Sequence, residues 1–445
     1  MPTIKNTPNF LLFIGDMLLL SVSLYATLLL RYGEVPAGEL LANHFTAFSA
    51  LFIVSALIFF VAGLYDRKTL LFPDSLWQRI LETQAINSLI AVVFFYAIPF
   101  FSIAPKTNLF IYIVVSSALL VVWRYWATSL LEARAPSRAI LIGGGPLVAE
   151  LKEQIKKGRY GLEIETQLDP DAYTPEELYV TTRQIINSYE ISFVILDRHN
   201  ETVQAALPRL HSFLYASLHF LSVDTLYEAV FDRVPIERLG HEWFIEHIHQ
   251  SPHAAYDALK RGMDIIIALF LGLLSLPFYP LVFLLVAGSG EGSLFSKQER
   301  VGQYDELFII YKFRTMLFSN KTVAEGNRVT RVGKLLRKLR IDELPQILNV
   351  LKGDLSFIGP RPETPALVSV YEKEIPFHNT RELIKPGLSG WAQLKQKNPP
   401  KFAANTEKAR EKLSYDLYYV KNRSLMLDLK IALQTLRVLA SRSGK

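Results

Sequence analysis

The chain has 445 residues and no cysteine. Disulfides, a thiolate nucleophile and cysteine-ligated zinc or iron–sulfur centres are therefore excluded. Charge is also sparse: Asp, Glu, Lys and Arg make up 20% of residues, against about 25% in an ordinary soluble domain. What replaces charge is apolar. Half of the residues are hydrophobic and the mean hydropathy is +0.21, which argues against a fully soluble enzyme. The 12% aromatic content argues against a disordered chain. The length allows about two or three domains, and the formal net charge is +6.

The apolar residues are concentrated first in four runs, residues 9–31, 44–64, 80–103 and 107–130. Each approaches the roughly 20 residues that a helix needs to cross the hydrocarbon core. The first is too long for a signal peptide, lacks a small-x-small cleavage site and is followed by three similar runs. Tyr32, Tyr65, Trp77, Trp123 and Trp126 sit near run ends, where interfacial rings belong. The 31–44 connection has Arg31 against Glu34 and Glu39. The next has Arg67, Lys68 and Arg79, and Arg134 and Arg138 follow the fourth run. This bias places both ends of a four-helix block in the cytoplasm. Asp16 lies inside the first run and is expected to be satisfied between packed helices, the alternative being a functional intramembrane acid.

The middle third alternates strand and helix patterns. A strand over residues 138–141 runs into Gly143-Gly144-Gly145-Pro146 and a helical segment, and residues 191–196 and 218–223 are further strand candidates. The pattern predicts a small Rossmann-like parallel sheet. Gly143 and Gly145 occupy the first two places of a dinucleotide fingerprint, but Val148 stands where its third glycine belongs. The domain is therefore expected to be a degenerate, structural or regulatory one. The stretch from His241 to His253 is rich in histidine and acid, but interleaved Trp243, Phe244, Ile245 and Ile248 make it a packing or interfacial segment.

A fifth apolar run, residues 265–287, contains Pro277 and Pro280. Pro277 has no N–H and would clash with the carbonyl of Leu273, so a sharp break is expected. Hydropathy leaves two topologies open: a kinked crossing, or a helix–break–helix that dips into one leaflet and returns.

The last third is where basic residues gather. Lys297, Arg300, Lys312 and Arg314 are followed by Arg328, Arg331, Lys334, Arg337, Lys338 and Arg340. Val329, Val332, Leu335, Leu336 and Leu339 recur between them at helical spacing, predicting a basic amphipathic helix that meets a membrane surface and anionic phosphates. It runs into Asp342-Glu343. Adjacent carboxylates beside so much positive charge suit two tasks, holding Mg²⁺ together with substrate phosphates or nucleophilic attack through an acyl phosphate. Pro360-Arg361-Pro362 holds an arginine on a stiff turn, preorganised for an anionic or flat ligand. Residues 424–439 form an amphipathic stretch, expected to lie on the interface or to pack on the soluble domain.

Several segments occur in a fixed order: LysArg (260–261), GlnGluArgValGly (298–302), LysPheArgThrMet (312–316), IleAspGluLeuProGln (341–346), AsnValLeuLysGlyAspLeuSer (349–356), GlyProArgProGlu (359–363), LysProGlyLeuSerGlyTrpAlaGln (385–393) and TyrAspLeuTyrTyrVal (415–420). Over about residues 258–441 the set resembles the bacterial sugar transferases, monotopic polyprenyl-phosphate phosphoglycosyl transferases. The whole chain is similar to their large form. The resemblance implies a membrane helical bundle over residues 1–133, a degenerate Rossmann-like domain over 134–255, and a mostly helical catalytic domain over 256–445. A re-entrant membrane helix over 264–287 would be broken at Pro277. It implies transfer of a sugar 1-phosphate from a UDP-sugar to polyprenyl phosphate, with release of UMP, through a covalent aspartyl phosphosugar. Asp342 matches the nucleophile and Glu343 its partner, the two holding Mg²⁺. Lys312, Arg314, Arg337 and Arg361, flanked by Pro360 and Pro362, match substrate-binding positions.

The chain departs from the family where Leu276 replaces a usual serine, where residues 289–293 replace a Gly-Pro, and in a short 318–327 linker. The implied setting is the bacterial inner membrane, multi-pass, with the catalytic domain on the cytoplasmic face. Membrane lipid is a partner, a homodimer is expected, and the basic excess is assigned to donor and lipid phosphates rather than to nucleic acid. The sugar is not readable. Two rival functions are a membrane-bound nucleotide-sugar dehydratase or epimerase, for which Tyr256 and Lys260 offer a Tyr-x-x-x-Lys without a preceding glycine fingerprint, and a non-catalytic scaffold of polysaccharide assembly.

Overall fold

The computed structural model describes residues 7–62, 64–65, 73–97, 106–132, 136–158, 160–216, 218–248, 254–289, 292–317, 328–396 and 405–440. The chain divides into two compact units, Met1–Val230 and Phe231–Lys445.

The first unit begins with four helices, α1 (Thr7–Tyr32), α2 (Gly38–Val61), α3 (Pro73–Ala97) and α4 (Lys106–Glu132). Leu20, Leu24, Leu28, Phe48, Phe59 and Leu120 form their shared core. Among the described residues four helical stretches are long and apolar enough to cross a membrane: Leu12–Tyr32, Gly38–Phe60, Thr107–Ala127 and Ala254–Ala287. The run at 80–103 corresponds to α3, which carries Arg79, Glu82, Gln84 and Asn87; residues 98–103 of the run lie outside the described ones. Asp16 is fully buried, as expected of a satisfied carboxyl. Arg124 of α4 donates through Nε to Asp16 Oδ1 at 3.0 Å and through a second nitrogen to Oδ2, and Tyr65 donates to Oδ2 at 2.9 Å. Arg124 also reaches the Leu64 carbonyl at 3.0 Å. The partner of Asp16 thus sits within a run that reads as apolar.

A four-stranded sheet follows in the same unit, β1 (Ser137–Ile142), β2 (Leu162–Leu168), β3 (Ile191–Leu196) and β4 (His219–Ser222), all parallel in the order β2-β1-β3-β4. The last four residues of β1 and of β3 are buried, which is why these strands read as unbroken apolar runs. Helices α5 (Gly145–Lys157), α6 (Pro175–Ser188), α7 (Glu201–Leu210) and α8 (Val223–Phe231) complete the alternation. Thr174 and Glu177 form a capping box on α6. At the glycine turn, Gly145 has φ +83°, a conformation open to glycine. A side chain at Gly144 would meet an Asp169 carboxylate oxygen at 2.7 Å, and one at Gly143 would meet Asp197 Cβ at 3.0 Å. Val148, in the third fingerprint place, is buried in the core.

The second unit contains helix α9 (His241–His247) and then α10 (Ala254–Ser275), a 3₁₀ turn at Leu276–Phe278, and α11 (Tyr279–Ala287). The break falls at Pro277, as the missing N–H requires. Both arms pack on one hairpin, made of β5 (Phe295–Val301) and β6 (Leu307–Phe313). Ala268 of α10 shares a core with Ile310, and Val282 and Val286 of α11 share another with Phe313. A straight helix would separate residues 268 and 286 by about 27 Å, whereas three residues of strand span about 10 Å. The segment is therefore bent at the 3₁₀ turn rather than straight. Its other face leaves Ile266, Leu269, Phe270, Leu273, Leu276 and Leu281 exposed.

Beyond the hairpin come the paired strands β7 (Met316–Leu317) and β8 (Arg328–Val329), α12 (Arg331–Lys338), a 3₁₀ turn (Ile341–Gln346), α13 (Ile347–Lys352), β9 (Ser356–Ile358) and α14 (Pro365–Glu374). A second 3₁₀ turn (His378–Leu383), β10 (Gly387–Ser389), α15 (Trp391–Lys395), α16 (Thr406–Asn422) and α17 (Leu425–Ala440) close the unit. The basic helix is shorter than its periodicity predicts. Arg328 and Val329 are in a strand, and Thr330 caps α12 by accepting from Gly333 N at 2.8 Å. One face of α17 buries Leu427 and Ile431 against Trp391 and Tyr419, while Leu429, Leu433, Leu436 and Leu439 remain exposed. The linker at 318–327 and His249 and His253 lie outside the described residues.

Candidate active site

The site is built around the turn that follows α12. Arg340 adopts φ 57° and ψ 18°, a left-handed conformation rare for a residue with a side chain. This reversal stops the helix and starts the 3₁₀ turn that carries Asp342 and Glu343. The turn is anchored by α13 behind it. There Asn349 is completely buried, donates to the Ile309 carbonyl at 2.7 Å and accepts from Tyr311 N at 3.3 Å. These bonds fix β6, and with it Lys312, against the turn.

Glu343 Oε1 is the focus of positive charge. Lys312 Nζ lies at 3.2 Å, Arg361 at 3.6 Å and Arg340 at 3.7 Å. Burial alone would raise the Glu343 pKa, but Lys312, Arg361 and Arg340 outweigh it and hold the carboxyl below its ordinary value. Asp342 goes the other way. Burial and then the Glu343 charge raise its pKa, opposed by Lys312, Arg337 and Arg340. Lys312 is itself lowered, first by burial and also by Arg361, with Glu343 opposing. Two neighbouring carboxyls are thus pushed apart, one firmly ionised and one reluctant. Asp342 Oδ1 is buried and accepts no hydrogen bond, and Gln346 Nε2 is likewise buried without a partner.

The expected site residues are not all in one place. Arg337 donates to Thr315 Oγ1 at 2.9 Å and acts on Asp342 through its charge. Arg314 is buried and donates to the Val286 carbonyl at 3.0 Å, at the end of α11. Pro360 accepts from Gly387 N at 2.9 Å through its carbonyl, where β9 and β10 pair in parallel. Gly359 and Gly387 lie so close that a side chain on either would overlap the other's backbone. Pro362 flanks Arg361 on the other side and is half-buried.

A second ion network positions Arg361 from behind. Arg381 donates to the Arg361 carbonyl at 2.6 Å, lies 3.2 Å from Glu363 and 3.1 Å from Asp416. Lys412 lies at 2.5 Å and His378 at 3.5 Å from Glu363. All five side chains are largely buried. Burial opposes ionisation of Glu363, but Arg381 and Lys412 drive its pKa far below the ordinary carboxylate range. Sequence patterns exposed the GlyProArgProGlu and TyrAspLeuTyrTyrVal segments without disclosing that Glu363 and Asp416 share Arg381. Arg340 and Arg300 were also visible only as members of a basic set. Arg300 is half-buried, and its pKa is lowered first by burial and then by the charge of Arg361. Tyr256 and Lys260 are both spent on Asp428, at 2.8 and 2.7 Å, as structural contacts.

Comparison with known proteins gives this geometry a lineage. Residues 255–442 match the family described as bacterial sugar transferase. The chain is 42% identical over 212 residues to a UDP-N-acetylgalactosamine-undecaprenyl-phosphate N-acetylgalactosaminephosphotransferase of Aeromonas hydrophila. That stretch covers 45% of this chain and 49% of the relative, so the match spans about half the length of that protein. It is 40% identical over 193 residues to the uncharacterized sugar transferase EpsL of Bacillus subtilis, covering 42% of this chain and 89% of the relative. It is 38% identical over 190 residues to a UDP-glucose:undecaprenyl-phosphate glucose-1-phosphate transferase of Caulobacter vibrioides, covering 41% of this chain and 70% of the relative. On these matches the chain belongs to the bacterial sugar transferase family.

Proposed function

We propose that this protein transfers a sugar 1-phosphate from a UDP-sugar to a polyprenyl phosphate and releases UMP. The observation that carries the reading is the buried Asp342 beside a Glu343 carboxylate gathered by Lys312, Arg340 and Arg361. A nucleotide diphosphate needs cations at the developing charge, and a carboxylate nucleophile needs a site that does not ionise it too stably. In the first step an Asp342 oxygen bonds to the β-phosphorus, and the bond from that phosphorus to the bridging oxygen breaks, so the electron pair leaves with UMP. In the second step an oxygen of the lipid phosphate bonds to the same phosphorus and the Asp342 oxygen departs. Arg361 and Arg300 face the donor phosphates, and Lys312 holds Glu343 and shares in neutralising them.

The residues present fit Mg²⁺. Asp342 and Glu343 offer hard carboxylate oxygens, and the buried Asp342 Oδ1 lacks a hydrogen-bond donor. When bound there, the ion would supply charge neutralisation to the diphosphate.

The membrane reading extends the same logic. The broken α10–α11 segment has an exposed apolar face, and residues of both arms share cores with residues of one hairpin. That supports a re-entrant helix that enters one leaflet and returns, with the exposed leucines of α17 lying at the same interface. The catalytic unit would then stand on the cytoplasmic side of the bacterial inner membrane, where the lipid phosphate is in reach. The parallel sheet of the first unit is read as a degenerate Rossmann-like domain. Asp169 and Asp197 crowd its glycine turn, and carboxylates there disfavour a pyrophosphate.

The test is UMP release from a panel of UDP-sugars by membranes containing the protein and polyprenyl phosphate. Asp342→Asn is expected to reduce transfer by at least about 10³-fold and to abolish a covalent phosphosugar adduct. Full activity in that variant, or an adduct trapped on it, overturns the reading.

A further inference from the structure

On the side of the hairpin turn, three carboxylates converge away from Asp342 and Glu343. Asp305 lies in the β5–β6 turn, Glu372 in α14 and Glu382 in the 378–383 turn, and one oxygen from each lies within 4.8 Å of the others. Asp305 and Glu372 are exposed, as many surface acids are. Glu382 is different. It is 8% exposed, and its Oε2 is buried and accepts no hydrogen bond.

The neighbouring cation is already committed. Arg381 turns to Glu363, Asp416 and the Arg361 carbonyl. Among the described residues, no lysine or arginine nitrogen lies within ion-pairing distance of Asp305, Glu372 or Glu382. A buried carboxylate with neither partner nor donor must be neutralised by something. Burial, reinforced by the charges of Asp305, Glu363 and Glu372 against that of Arg381, pushes Glu382 up to about 8. The neighbouring acids favour a proton on Glu382 when no cation is bound, whereas a bound cation would engage all three carboxylates.

We propose that Asp305, Glu372 and Glu382 form a second, structural site for a hard divalent cation, separate from the Asp342–Glu343 pair. Oxygens up to 4.8 Å apart suit an ion that binds oxygen at about 2.3–2.6 Å, the range of Ca²⁺. Mg²⁺, at about 2.0–2.1 Å, would need the carboxylates to contract or water to complete its shell. The site would pin three separate elements together. The β5–β6 turn already touches the 378–383 turn through Gln303 Nε2 to the Leu383 carbonyl at 3.1 Å. The next residue back from Glu382 is Arg381, which holds the Arg361 carbonyl. An ion here would therefore brace the backbone that presents Arg361.

Terbium is the probe, because Tyr304 and Tyr371 adjoin two of the ligands in sequence and would sensitise its emission. The full chain in lipid nanodiscs is expected to give saturable, tyrosine-sensitised emission that Ca²⁺ displaces. Glu382→Gln, a neutral isostere, should weaken terbium affinity by about tenfold or more, and Glu343→Gln should leave this emission in place. Ca²⁺ should raise the thermal midpoint of the wild-type protein but not of Glu382→Gln. If Glu382→Gln does not fold, Asp305→Asn, at an exposed position, should show the same loss. Emission that survives Glu382→Gln and Asp305→Asn, emission that disappears with Glu343→Gln, or no saturable emission overturns the proposal.

Discussion

Glu363 shows how far a single carboxyl can reach. It has two buried cations and a histidine around it, and Arg381 passes its effect to the Arg361 backbone. Replacing it by glutamine leaves Arg381 and Lys412 with only Asp416 between them, so Glu363→Gln should cost about 3–5 kcal/mol of stability at pH 7. The sign of its pH dependence follows from its depressed pKa. Stability from such a group is complete above the unfolded value, about 4.3, and is lost as pH falls through the folded value. The gap between wild type and Glu363→Gln in thermal unfolding should therefore be constant from pH 7 to about 5 and narrow only in stronger acid. Asp416 has the opposite sign. Its pKa is raised first by burial, so its contribution is complete below its unfolded value and diminishes as pH rises. A gap that is already closed at pH 5 would refute the assignment of Glu363 as the dominant anion.

The same reasoning applies inside the bundle. Asp16 and Arg124 are both buried, and each leaves an unpaired charge if the other is removed. Asp16→Leu should lower the thermal midpoint of the detergent-solubilised protein strongly, by the equivalent of about 3–5 kcal/mol, while Asp16→Leu with Arg124→Leu should recover most of it. Equal loss in the single and double variants would mean that the pair itself stabilises the fold.

At the scale of elements, the break at Pro277 decides how the second unit meets the membrane. If the segment is re-entrant, single cysteines at Ala254→Cys and Gly288→Cys, introduced into a chain with none of its own, should react with an impermeant thiol reagent from the same side of sealed vesicles. Labelling from opposite sides would establish a crossing instead. The break itself was legible because proline acts locally, and so were the buried strands of the sheet, whose apolar runs need no knowledge of distant residues. Other features were not local. Periodicity extended the basic helix from 328 to 340, but Thr330 capping and the left-handed Arg340 cut it to Arg331–Lys338. A left-handed arginine is held by surrounding structure rather than by its own preference. Arg314 also bonds a helix-end carbonyl, a contact that spacing does not encode. The Asp342–Glu343 pair was legible as a motif, whereas the cradle behind Arg361 joins residues from 361 to 416, a pairing that spacing cannot encode.

For the whole molecule, the question is how much of the chain the chemistry needs. Every residue placed at the carboxylate pair and in the network behind Arg361 lies between Arg300 and Asp416, inside the unit Phe231–Lys445. That unit has cores of its own, and residues 231–248 belong to it through Val234, Trp243 and Phe244 packed against Tyr371, Ile375 and Leu413. It also contains the apolar stretch Ala254–Ala287, long and apolar enough to cross a membrane. The Bacillus subtilis relative is matched over 89% of its length by 193 residues of this chain, and so consists almost entirely of the matched stretch. If the proposed reaction holds, a chain of residues 231–445 should insert into membranes and release UMP from the donor that the full protein accepts, with a kcat within about tenfold of it. Loss of all turnover in a truncated protein that is folded and membrane-bound would show that the first unit contributes to the reaction. Retained turnover would assign the bundle and its parallel sheet to a role outside the chemical step, consistent with the acids that crowd the glycine turn.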